Sequence, residues 1–138
     1  MPTPNFIAYI IGPYRAPTIS GVRRNIEAAR ELAELLWRNN IPTICSHLNT
    51  AFMDGIAPDQ VFLDGDLVLL SRCNVAVVLP KSEDSAGSMG EVDFACAHHI
   101  PIVLCHANES RALLIRLVRS FMAPVQSEQN QTRKDTKP

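Results

Sequence analysis

Three short runs of this chain, "NFIAYIIG" from Asn5, "VAVVLP" from Val75 and "PIVLC" from Pro101, are apolar at nearly every position. A strand with one wet face alternates apolar and polar residues. A run without that alternation must be covered on both sides, as the strands of a parallel sheet between helices are. The intervening segments have the complementary pattern. From about Ser20 to Asn39, Val22, Ile26, Ala29, Leu32, Ala33, Leu36 and Trp37 recur at helical spacing, with Arg23, Glu27, Arg30 and Glu34 on the other side. A second helix is expected from Pro58 or Asp59 through Leu63, Leu67 and Leu70. A third follows "VAVVLP", and a fourth is "SRALLIRLVRSFM". "IPTICS" supplies the remaining strand, and "HLNTAFMDGIAPDQ" reads as a loop.

Strand and helix alternate throughout, which predicts an α/β chain: a flavodoxin- or Rossmann-like three-layer sandwich with a parallel sheet of four or five strands. The expected strand order is 2-1-3-4, which opens a crevice beyond the carboxyl ends of the first and third strands. With 138 residues, one domain over residues 1–123 is expected. Residues 124–138, polar and aperiodic, read as a disordered tail.

Net charge is −1, so no basic excess marks a nucleic-acid binder. The apolar runs are too short to span a membrane, and "MPTPNF" lacks the pattern of a signal peptide, so a cytoplasmic protein is expected. Cys45, Cys73, Cys96 and Cys105 form no CxxC pair and read as reduced thiols. No set of side chains has metal-site spacing, and neither metal nor cofactor is expected.

The topology gathers polar residues at one edge. The first strand delivers Gly12, Tyr14 and Arg15, the second His47 and Asn49, the third Ser82, Asp84 and Ser85. The next helix opens with Ser88 and Glu91, and the second helix carries Asp66. Two readings of Glu91 stand side by side. "SMGE" fits a capping box, in which Ser88 caps the helix and the glutamate bonds back to the serine amide. Alternatively, a carboxylate beside glycines and a helix start can attack a bound sugar.

Five stretches, "YIIGPYRA", Asn25 with "AARELAELLW", "CSHLNT", "GDLVLLSRCNVAVVLP" and "SAGSMGEVDFACA", make the body from Phe6 to Leu104 resemble the nucleoside 2-deoxyribosyltransferase-like superfamily, particularly its small phage and bacterial branch. The resemblance implies cleavage or exchange at the N-glycosidic bond of a nucleoside or its 5′-monophosphate. In it, Glu91 would be the nucleophile, Asp66 the group that helps protonate the leaving base, and Tyr9 the neighbour of the nucleophile. Ser85 and Gly87 would line the 5′ side of the sugar, with Arg15 and Ser88 suited to a phosphate. A homo-oligomer is also implied. The chain departs from the branch in reading "PKSEDS" where a Gly-Trp pair is usual, and Asn74 where an Asp is usual. The alternative is a non-catalytic module that senses a nucleotide.

Overall fold

A computed structural model describes residues 5–122. Its strands are β1 (Ala8–Ile11), β2 (Thr43–Cys45), β3 (Val75–Val78) and β4 (Ile102–Leu104). Its helices are α1 (Ile19–Arg38), α2 (Ser46–Asn49), α3 (Asp59–Ser71), α4 (Ala86–Ala97) and α5 (Arg111–Ser120). The sheet is parallel throughout with order β2-β1-β3-β4, the order expected from the sequence, and among the described residues it has four strands.

The strands sort their side chains by parity. Ala8, Ile10, Val75 and Val77 face α1 and α5, where they pack with Ala29, Leu32, Leu36, Leu114 and Val118. Tyr9, Ile11, Ala76 and Val78 face the other way, packing with Leu70 of α3 and Ala95 of α4. Crossovers of a single hand require this division. The step from β1 to β2 runs one way across the sheet and the steps to β3 and β4 the other, so their helices lie on opposite faces.

α1 begins at Ile19 with Thr18 as its cap, whose side chain accepts from the Gly21 amide at 3.0 Å. Trp37 does not join the core as its spacing suggested. It is 56% exposed, whereas the adjacent Leu36 is fully buried. The supposed loop after β2 starts with the single turn of α2, in which the Thr50 amide bonds to the Ser46 carbonyl at 3.2 Å. Asn74 joins the starts of β1 and β3: its Oδ1 accepts from the Ile7 amide and its own backbone amide donates to the Ile7 carbonyl, both at 2.8 Å. An acceptor is all that this position uses, so the departure from aspartate bears on the sheet. The expected disordered tail lies outside the described residues.

Burial sets the scale of the next outcome. Leu36→Ala removes a fully enclosed side chain and is expected to cost about 2–5 kcal/mol in urea unfolding, whereas Trp37→Ala should change stability by about 0.5 kcal/mol or less.

Candidate active site

Beyond the carboxyl ends of β1 and β3 lies a cavity of about 700 Å³, bounded by the β1–α1 loop, α2, α3 and the start of α4. That volume falls within the range of small-molecule sites, about 300–1,000 Å³.

The β1–α1 loop is fixed from two sides. Asn25, projecting from α1, donates to the carbonyls of Tyr14 at 3.0 Å and Arg15 at 3.3 Å. His47, at 4% exposure, places Nε2 3.0 Å from the carbonyls of both Gly12 and Pro13. Carbonyls only accept, so Nε2 carries the proton and Nδ1 is left as an acceptor without a partner. Burial holds the imidazole below its usual pKa, which keeps it neutral. The Tyr14 hydroxyl donates to Asp54 Oδ1 at 2.7 Å and accepts from the Phe52 amide at 3.1 Å, joining the loop after α2 to the cavity wall. Arg15 Nη2 pairs with Asp59 Oδ2 at 2.7 Å.

The start of α4 decides between the two readings of Glu91. Ser85, rather than Ser88, is the cap: its side chain accepts from the Ser88 amide at 3.2 Å and its carbonyl from Met89 at 3.0 Å. The turn Ser82–Asp84, pinned by the Ser82 hydroxyl donating to the Leu79 carbonyl at 2.6 Å, lets the helix open three residues earlier than the capping-box pattern suggested. Glu91 is therefore in the second turn, out of reach of the cap. The capping-box expectation is corrected on this geometry.

Glu91 lines the cavity, while its Oε2 is buried and has no hydrogen-bond partner. The hydroxyl of Tyr9, a fully buried side chain of β1, is likewise unpartnered. The two groups are close enough to influence each other's ionisation without completing a hydrogen bond in this conformation. Burial, reinforced by the charge of Asp66, raises the Glu91 carboxyl to about 7. Burial also raises Asp66 to about 6, and burial followed by the Glu91 charge drives the Tyr9 phenol far above its usual value.

The cavity brings together Gly12, Tyr14, Arg15, His47, Asp66, Ser85, Gly87, Ser88 and Glu91 from the residues singled out in the sequence. Tyr9 lies behind Glu91 in the adjoining core. Asn49 does not line the cavity; it ends α2 as an exposed residue. Phe62 and Leu63 contribute apolar wall that the sequence reading had left to helix packing. Phe62 precedes Asp66 by four residues, and that spacing on one helix was a usable signal. Phe62 adds an aromatic side chain to the wall beside Tyr14 and His47. Among the described residues no cluster of three His, Cys, Asp or Glu could hold a metal ion, and no helix is long and apolar enough to cross a membrane.

Such an α/β sandwich, with its cavity at the strand-order switch and two titratable carboxyls inside it, has the layout of a small-molecule-binding protein or enzyme. Residues 6–105 match the family described as Domain of unknown function (DUF7768), and the chain belongs to that family. No curated protein matches it. Among solved structures, the chain is similar to the 2-deoxyribosyltransferase of the psychrotolerant bacterium Bacillus psychrosaccharolyticus. The TM-score is 0.56 at 11% identity, over 71% of this chain and 70% of that one, and the likeness is one of fold.

The environment of Glu91 has a thermodynamic signature. A carboxyl raised on folding binds more protons in the native state between its unfolded and folded pKa values, so it lowers stability as pH rises from about 4.5 to about 7. Glu91→Gln removes that charge and is expected to stabilise the protein by about 1–3 kcal/mol at pH 8, with little gain at pH 4.5. Thermal unfolding at both pH values checks this, because loss of a capping glutamate would destabilise instead.

Proposed function

We propose that this protein is an enzyme of the nucleoside 2-deoxyribosyltransferase-like superfamily that cleaves or exchanges the N-glycosidic bond of a (deoxy)ribonucleoside or its 5′-monophosphate. The observation that carries the reading is Glu91: a buried carboxyl oxygen without a hydrogen-bond partner, on a cavity wall, next to a second carboxyl with a raised pKa. An unpaired buried charge opposes folding, and functional sites are where such groups concentrate.

In the first step a Glu91 oxygen bonds to the anomeric carbon. The bond from that carbon to the base nitrogen breaks with its electron pair leaving on the base, and Asp66 supplies a proton to the departing nitrogen. In the second step water or another base attacks the same carbon, its proton passes to the Asp66 carboxylate, and the bond to Glu91 breaks to release the carboxylate, so that two inversions retain configuration. Tyr9 borders the nucleophile from behind. Gly12, Tyr14, His47, Ser85, Gly87 and Ser88 form the substrate wall, joined by Arg15 at its rim; Asn49, away from the cavity, has no part in it.

The catalytic unit is assigned to residues 1–123, with 124–138 outside it. Exposed Val61 and Val68 on α3 and Met89 on α4 suit contact with a second copy of the chain, in keeping with a homo-oligomer. Four unbridged thiols, Cys45, Cys73, Cys96 and Cys105, suit the reducing cytoplasm.

Incubation with a panel of nucleosides and monophosphates, followed by chromatography for free base, tests the reading. Glu91→Ala should reduce base release by at least about 10³-fold with the fold intact, and a 2-fluoro sugar analogue should leave a covalent mass increment on Glu91. Ligand binding without turnover by the wild-type chain would favour a nucleotide-sensing module instead.

Catalysis requires one proton on the Glu91–Asp66 pair and uses the arrangement with the nucleophile ionised and the acid protonated, the less populated one given values of about 7 and about 6. The singly protonated pair is most populated midway between its two titrations. With those near 6 and 7, kcat/KM should trace a narrow bell with its maximum near pH 6.5. A rate that rises steadily through pH 8 would remove Asp66 from the acid role.

A further inference from the structure

The cavity holds more negative charge than the proposed chemistry uses. Besides Glu91 and Asp66, it is lined by Asp54, Asp59 and Asp84, against two cations, Arg15 and Lys81. Arg15 is already paired with Asp59 at 2.7 Å. Lys81 precedes the turn that Asp84 ends but makes no ion pair with it, so the Asp84 carboxylate is not neutralised by a direct partner. With one proton shared by Glu91 and Asp66, the wall still carries four negative charges against two positive ones.

One unpartnered polar atom of the lining residues, His47 Nδ1, is also of the wrong kind for an anion. His47 and Ser88, two of the lining residues, are 4% and 2% exposed, and each has a buried polar atom left unpaired. His47 Nδ1 is an acceptor because Nε2 holds the proton between two carbonyls. An acceptor pairs with the hydroxyl of a sugar and repels the oxygens of a phosphate dianion. The Ser88 hydroxyl bonds either. The amides at the start of α4 would attract a phosphate, but such a phosphate would sit beside the Asp84 carboxylate, one residue ahead of the cap.

Resting on the glycosidic reading above, we propose that the substrate is the uncharged nucleoside, that the cavity rejects its 5′-monophosphate, and that Asp84 sets this discrimination. Asp84 lies in the turn that precedes the Ser85 cap, on the cavity side of the start of α4.

The test compares each of the four common 2′-deoxynucleosides with its 5′-monophosphate, by base release and, separately, by equilibrium binding. The expected result is a kcat/KM at least about tenfold higher for the nucleoside, with the gap narrowing as salt is raised and narrowing several-fold in Asp84→Asn through a lower KM for the monophosphate. Equal or better use of the monophosphate, or a gap that neither salt nor the variant narrows, overturns the charge selection. A gap narrowed by salt alone overturns the role of Asp84. Preferential nucleoside binding with no base release supports the selection and overturns the glycosidic reading, and binding of neither compound overturns both.

Discussion

Everything at this site follows from putting an ionisable carboxyl at the border of a dry layer. The sheet is covered on both faces, so successive residues of β1 are committed to opposite cores, and Tyr9 falls on the side shared with α3 and α4. Its phenol and the Glu91 carboxyl then occupy a region where charge is poorly solvated and little else can donate a hydrogen bond. The proton affinity of Glu91 is the direct result. Glu91 nevertheless lines the cavity, at the boundary between that region and the opening beyond the strands.

The β3–α4 connection controls how this carboxyl is presented. Lys81 adopts left-handed backbone angles, with φ +68°, and the short turn that follows is stitched by Ser82 to the Leu79 carbonyl. That geometry advances the cap to Ser85. Had the helix begun at Ser88, the glutamate would have bonded to its own helix end. The same residue types, shifted by one turn, leave the glutamate on the cavity wall with no bond to the helix end.

Architecture was legible in the sequence because it depends on period and polarity. The unalternating runs implied a doubly covered sheet, the strand order expected by analogy with flavodoxin-like folds is the one observed, and the helical spacing of α1 located that helix within a residue at each end. The misses share a cause: they depend on which local hydrogen bond wins. Ser85 and Ser88 are both competent caps, and only the preceding turn selects between them. Trp37 continues an apolar pattern but points past the edge of the core, since the buried arc of α1 is already filled by Leu32, Ala33 and Leu36. Asn49, like His47, follows β2, yet a single turn of helix sends the two in different directions. Asp54 and Phe62 reach the cavity from a loop and a helix face that spacing alone did not tie to the sheet edge.

The hydroxyl of Tyr14 makes the mouth of the cavity a coupled assembly. It holds Asp54 by one bond and the amide of Phe52 by another, while Phe52 sits at φ +57°, a conformation that costs a bulky residue about 1–2 kcal/mol. Asn25 anchors the backbone of the same tyrosine to α1. Tyr14 thus serves as a clasp, its carbonyl held from the longest helix and its phenolic oxygen holding a segment under tension, so removing that oxygen would leave the Phe52 backbone without the bond that secures its left-handed angles.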